Sequence, residues 1–379
     1  MSAFAAAERG PGFSAASSTA RSCTVTWSVV PTKAVEAAEF NAVAADTPDD
    51  AWAVGGPGFV NHNRVAAHAL TSHWDGSRWR RVPNPLTAAA LEGVAAIARN
   101  DAWTVGEQEP QGRPVGLYGD GAVAAHWDGS RWRRVTLPGL GRLSGVAATS
   151  TRDVWAVGVG SRGSGIAVRW DGKRWHVSLR LRQTELRDVV ALSPDDVWVA
   201  GDRRLASPQT FIEAHWDGRR WRTYSQLPPR DGKDGLDEDP RLVAIAAVAT
   251  DDVWAAGDAG QAGGPAWPDT VLFHWDGKRW QKALTPQFMW VNDLATRAPG
   301  DLWLATITGN GDAFGVPTLE RRLGTRWSRP GSWASSQEVA ALTSDQAQGL
   351  WAVGDVGSAF NGLGFPQRER PLIAHGRCS

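Results

Sequence analysis

The chain has 379 residues, with 40 Lys plus Arg against 40 Asp plus Glu and a formal net charge of zero. Balanced charge supplies no overall field toward nucleic acid or an anionic membrane, so neither is expected as a partner. No apolar run approaches the roughly 20 residues of a membrane-spanning helix.

Residues 1–22 are rich in Ala, Ser and Gly and lack an apolar stretch long enough for a signal-peptide core, so they read as a flexible lead-in. Residues 23–31, CTVTWSVVP, read as a strand with no partner before them. From about residue 40 the chain repeats itself seven times. Trp52, Trp103, Trp155, Trp198, Trp254, Trp303 and Trp351 each stand nine residues after Val43, Val94, Val146, Val189, Ile245, Leu294 and Leu342. Six copies continue to a second signature, of which HWDGSRW at 73–79 and 126–132 is the pattern.

Each copy predicts four strands: one before an SxxD turn, one carrying the first Trp, one ending at the second signature and one beginning RW. Asp-Gly between apolar runs is a hairpin signal, since Gly accepts positive φ and Asp tolerates it. The copies span about 40–83, 91–136, 143–179, 186–225, 242–284, 291–329 and 339–379. A meander of this size leaves both apolar faces uncovered, so neighbours must stack, and four strands per copy favour a ring. Ala44, Ala95, Ala147, Ala246 and Ala295 share the innermost register, where crowding at an axis requires small residues. The expected fold is all-β, a seven-bladed β-propeller forming one domain over 23–379.

The seventh copy ends at PLIAHGRCS without its RW strand. Trp27, Val30 and Pro31 match Trp79, Val82 and Pro83, so the N-terminal strand is expected to complete the last blade. With a two-residue DG turn, the register carried over sets Cys378 opposite Cys23, the only two cysteines. A disulfide there would close the ring, adding about 5 kcal/mol at most, and would imply an oxidising compartment. Two unrelated free thiols are the alternative. The expected location is extracellular or cell-surface, with the signal outside the given chain; a cytoplasmic protein is the alternative.

The DVWAVG and HWDGxxW signatures resemble those of bacterial seven-bladed propellers common in exported proteins of actinobacteria and myxobacteria, over about residues 24–375. The DGxxW turns at Asp75, Asp128, Asp171, Asp217 and Asp276 are similar to the Asp-box hairpins of sialidase-type propellers, where the box is structural. RRLGTRW at 321–327 departs from the pattern, with neither the Asp nor the preceding Trp. A sialidase-like site implies an arginine triad, an Asp and a Tyr/Glu pair, yet Tyr118 and Tyr224 are the only tyrosines. A galactose-oxidase-like copper centre implies Tyr and His ligands with a Tyr–Cys link, and that pattern is absent too. No cofactor or metal is expected.

Most Trp residues belong to the repeat and read as inter-blade packing. Trp267, Trp290 and Trp333 stand outside it and are candidates for ligand contact, with Tyr118, Asp188 and Asp293. His73, His126, His215, His274 and His375 share one position per blade, too dispersed around a ring to meet at one ion. Arg78, Arg131, Arg174, Arg220, Arg279 and Arg326 precede outer-strand Trp residues and are expected to pair with a turn carboxylate or stack on indole. His62 and His68 lie off the repeat in a long loop.

Topology sets the SxxD and DG turns on one rim and every variable insert on the other: 56–70, 107–123, 226–241, 258–270, 307–318 and 355–370. Binding favours such loops. Four residues after the repeat Trp come Glu107, Asp202, Asp258 and Asp355; eleven before it come Glu92 and Arg187. Glu92 facing Glu107 would be a carboxylate pair suited to acid/base work or a cation, and Arg187 facing Asp202 a salt bridge. The alternative for the acids is that Gly-Asp merely begins a loop.

Two functions follow. One is an exported, non-catalytic monomer binding a glycan, cell-wall component or protein on the variable rim. The other is a glycoside hydrolase, lyase or tailoring catalyst using Glu92, Glu107, Asp202, Asp258 and Asp355.

Overall fold

A computed structural model describes residues 25–30, 38–57, 59–60, 63–64, 69–87, 89–108, 121–137, 140–160, 163–203, 210–226, 241–259, 270–286, 289–308, 316–330, 337–345, 349–357 and 369–378. They form seven four-stranded antiparallel sheets, one per repeat. Blade 1 runs Ala38–Thr47, Asp50–Pro57, Leu70–Trp74 and Trp79–Arg81 from the axis outward. Blades 2 to 6 repeat that order. Blade 7 consists of Gln337–Ser344, Leu350–Gly357 and Glu369–Cys378, with Val25–Val29 as its outer strand. The chain is a seven-bladed β-propeller whose last blade is completed from the N-terminus. Among the described residues no helix is long and apolar enough to cross a membrane.

The Trp register is the glue between blades. Trp52 of blade 1 meets Trp127 and Trp132 of blade 2, with ring centroids 5.0 and 4.9 Å away. Trp103 meets Trp170 and Trp175, Trp155 meets Trp216 and Trp221, and Trp198 meets Trp275 and Trp280 in the same way. The ring closes where Trp351 of blade 7 packs on Trp74 and Trp79 of blade 1. Blade 6 has Arg322 in place of the second Trp, and its guanidinium lies over Trp254 at 4.7 Å, a cation–π contact replacing an aromatic one.

Each first Trp is also held within its own blade. The five repeat histidines stack on it at 4.0 to 4.6 Å while Nε2 reaches an Asp of the same blade: Asp50, Asp101, Asp196, Asp252 or Asp345. In blades 3 and 6, Arg169 and Arg321 take the same place, bound to Asp153 and Asp301 and lying over Trp155 and Trp303. An imidazole or a guanidinium serves equally because the position needs a flat donor between a carboxylate and an indole.

Two register details differ from the sequence reading. The DG hairpin is a four-residue loop, since Trp74 pairs with Trp79 and Asp75 N–H donates to the Arg78 carbonyl. Asp75 Oδ1 accepts from the Ser77 and Arg78 backbone N–H groups, and Gly76 takes φ 91°. Blade 7 has the same register without a connecting loop, so Trp27 pairs with Gly376 and Cys378 with Val25. The expected facing of Cys378 and Cys23 is thus corrected by two residues; Cys23 lies outside the described residues, and a disulfide is not shown. The other oxygen of the turn Asp ion-pairs with a side chain five residues on, as in Asp75–Arg80, Asp128–Arg133 and Asp217–Arg222. The Arg just before the outer Trp instead gives its backbone N–H, although Arg220 also approaches Asp217 at 3.8 Å.

Every inner strand contains a β-bulge beside the axis. The ladder skips from Phe40 to Ala42, Leu91 to Gly93, Leu186 to Asp188 and Val291 to Asp293, and likewise in the other blades. The skipped residue is always the one eleven before the Trp: Asn41, Glu92, Ser144, Arg187, Val243, Asn292 or Ala340. The bulge explains the Gly of WAVG, because a Cβ at Gly106 would lie 2.0 Å from the Ala90 carbonyl oxygen.

Candidate functional site

All seven skipped residues line a cavity of about 370 Å³ on the axis. Its wall is asymmetric, since Asn41, Glu92, Ser144, Arg187 and Asn292 are polar and Val243 and Ala340 are not. Two of its polar groups already bind the next blade: Asn41 Nδ2 donates to the Leu91 carbonyl and Asn292 Nδ2 to that of Val339.

Asp188 and Asp293, one residue past the bulge, also line the cavity. Asp188 accepts the N–H groups of Val189 and, across the seam, Ile245 of blade 5, both at 2.8 Å. Asp293 accepts from Leu294 and from Leu342 of blade 7, both at 2.7 Å. These candidate ligand residues act as seam clamps. Burial pushes Asp188 up to about 6, its two N–H donors opposing that rise. Burial pushes Asp293 up to about 8, the charge of Asp188 adding to the effect.

The bulge moves Glu92 out of the ladder, so it does not face Glu107. Glu107 pairs in register with Ala90 and Ala122. The expected carboxylate couple is thereby corrected: the inner strand skips one residue between Ala96 and Ala98 and another between Leu91 and Gly93, which moves the partner of Glu107 by two, from Glu92 to Ala90. Two acids that do face each other are Glu338 and Asp355 of blade 7. Asp202 is fully buried, with Arg187 Nε at 2.6 Å from Oδ1. That salt bridge stands as expected, although the strand partner of Asp202 is Glu185. Glu185 in turn accepts from Arg187 and from Arg142 of blade 3, linking two blades through charge. Asp258, also buried, pairs with Arg241 at 3.2 Å.

Trp290 is half-buried near the start of the blade 6 inner strand, on the rim that bears the inserts. Trp267, Trp333, Tyr118, His62 and His68 lie outside the described residues.

Besides Glu185 and Glu338, sequence reading missed Glu213. Glu213 is fully buried in the third strand of blade 4, paired in register with Ala200 and Tyr224, and among the described residues neither carboxyl oxygen has a side-chain or cross-strand partner. Burial pushes it up to about 8. The signal was present, since the other copies carry Thr71, Ala124, Ala167, Leu272, Leu319 and Ile373 at that place.

No family model matches the sequence, and no curated protein does. Solved structures show where the shape recurs. YCF48 bound to a D1 peptide superposes with a TM-score of 0.56 at 15% identity, over 94% of this chain and 97% of that one. The WD40 repeats of RRP9 give 0.60 at 10% identity, over 94% and 99%. The GH74 xyloglucanase of Xanthomonas campestris gives 0.54 at 14% identity; 87% of this chain is covered, and it spans about half, 53%, of that enzyme. At such identities the likeness establishes the propeller and nothing finer.

Proposed function

We propose that this propeller is an exported, non-catalytic binding module that holds a protein segment on the insert-bearing rim, at the mouth of the axial cavity. The observation that carries the reading is the engagement of four of the acids near the axis by the frame itself. Asp202 and Asp258 are buried against arginines, and Asp188 and Asp293 are occupied by backbone N–H groups that tie blades together. A catalytic acid must be within reach of substrate and able to exchange its proton; these groups are committed to the frame. The peptide-bound YCF48 structure supports a protein ligand by analogy only. Export rests on the resemblance in the repeat signatures, and nonreducing mass spectrometry of Cys23 and Cys378 tests it.

Panning a displayed peptide library on the intact chain tests the rest, beside a variant with residues 109–120 and 260–269 replaced by Gly-Ser linkers. Selected peptides are expected to lose at least about tenfold in affinity for the variant, roughly 1.4 kcal/mol. Equal affinity for both proteins overturns the rim assignment. Selection of a sugar from a glycan array, with no peptide selected, replaces the protein ligand by a glycan.

A further inference from the structure

The outer edge of the blades carries a charge asymmetry that the zero net charge conceals. Residues 75–82, 128–135, 171–182, 217–226, 276–282 and 323–329 make up the outer hairpins of blades 1 to 6. Together they contain 18 Lys and Arg against 5 Asp, a net +13 in a chain whose total is zero. All 18 cations are exposed. Blade 7 interrupts the belt, because its outer strand, VTWSV, has no charged residue. The turn aspartates offset only part of the belt. Each gives Oδ1 to backbone N–H groups and Oδ2 to at most one or two cations, such as Arg80, Arg133 and Arg222. Arg81, Arg134, Lys173 and Arg182 have no ion pair among the described residues.

We infer that this belt is a binding surface for a flexible, acidic polysaccharide, one bearing carboxylate, sulfate or phosphodiester groups. The belt follows the convex circumference over six consecutive blades, so an occupant must bend with it to meet more than one or two hairpins. Duplex DNA, with a persistence length of about 50 nm, and a flat membrane touch such a curve only tangentially. Single-stranded nucleic acid is flexible enough, but its surfaces offer aromatic platforms to the bases. Here the hairpin Trp residues are turned inward onto the neighbouring blade, as Trp132 is onto Trp52 and Trp280 onto Trp198. What remains is cationic, and mostly arginine, whose planar fork matches carboxylate, sulfate and phosphate oxygens. Binding would draw on counterion release and weaken steeply with salt.

Fluorescence anisotropy with labelled alginate oligomers tests the inference on the full chain. The controls are a neutral dextran oligomer and a single-stranded DNA of equal charge. Alginate is expected to bind at about 50 mM salt and to weaken at least about tenfold by about 200 mM; dextran is expected not to bind. Combining Arg81→Gln, Arg134→Gln, Lys173→Gln and Arg182→Gln spares the turn ion pairs. It should lower alginate affinity at least about tenfold with an unchanged melting temperature. The two halves of that variant, Arg81→Gln with Arg134→Gln and Lys173→Gln with Arg182→Gln, should each give part of the loss. Failure to bind alginate at low salt, or equal binding by wild type and the fourfold variant, overturns the belt. Tighter binding of the DNA overturns the polysaccharide assignment. Replacing 109–120 and 260–269 should leave alginate binding unaltered, so the belt and the insert-bearing rim succeed or fail separately.

Discussion

Glu213 makes the folded chain sensitive to alkaline pH in a way that one substitution should remove. Its carboxyl is held up to about 8 in the fold against an ordinary value of 4.5. An acid whose folded value is raised costs nothing below its unfolded value. The cost grows as pH climbs from about 4.5 to about 8 and is constant above that. At roughly 1.4 kcal/mol per pH unit, the full cost at pH 8.5 is on the order of 5 kcal/mol. The residues that share its face are apolar or already engaged: Ala200 and Tyr224 across the strands, and His215 bound to Asp196. Among the described residues nothing there is placed to compensate an anion. Glu213→Leu reproduces the residue of blades 5 and 6, Leu272 and Leu319. Urea denaturation at pH 5, 7 and 8.5 should show the variant ahead at every pH. Its lead should be about 1 to 3 kcal/mol at pH 5, the cost of burying an unpaired polar group, and several kcal/mol larger at pH 8.5. Glu213→Gln should flatten the same pH dependence while keeping the polar cost. A stability gap that does not change with pH refutes the reasoning.

Trp351→Ala removes a fully buried indole at the blade 7 to blade 1 seam and should cost about 3 to 5 kcal/mol, read as a lower melting temperature. Trp27→Ala, at a half-buried indole in the closing strand, should cost less. Asp293→Ala leaves the Leu342 amide without its acceptor and should cost about 1 to 3 kcal/mol, with faster hydrogen exchange at that amide as the specific readout. The turn aspartates show the opposite pH sign to Glu213. Hydrogen bonds hold Asp75 and Asp128 well below the usual carboxylate range, so their support is present near neutrality and lost as pH falls. Asp75→Ala with Asp128→Ala should flatten the acid side of the stability profile, measured by thermal melts between about pH 2 and 5.

Much of the ring was legible because its determinants are periodic. Trp52 and its six equivalents, the blade count and the closing strand around Trp27 follow from spacing, and the structure places them accordingly. Register at bends was less legible. Asp75 captures two backbone N–H groups and widens a loop that Asp-Gly alone suggests is shorter, and that moves Cys378 from Cys23 to Val25. The bulge at Glu92 left no mark in the sequence except Gly106, whose missing Cβ admits the inner strand's carbonyl. Hence the pairing of Glu92 with Glu107 could not be read correctly. Asp188 and Asp293 were visible as acids near the axis, but their role as clamps depends on backbone groups of the following blade, far away in sequence. Glu213 needed the columns of the repeat compared one by one.

Binding without turnover is tested most directly by the mass of the ligand. A peptide selected on the immobilised chain, incubated overnight and eluted, should have an unaltered mass and be recovered at no more than one per chain. Recovery of a cleaved or modified product, formed by the wild type and not by an Asp202→Asn or Asp258→Asn variant, would contradict the account.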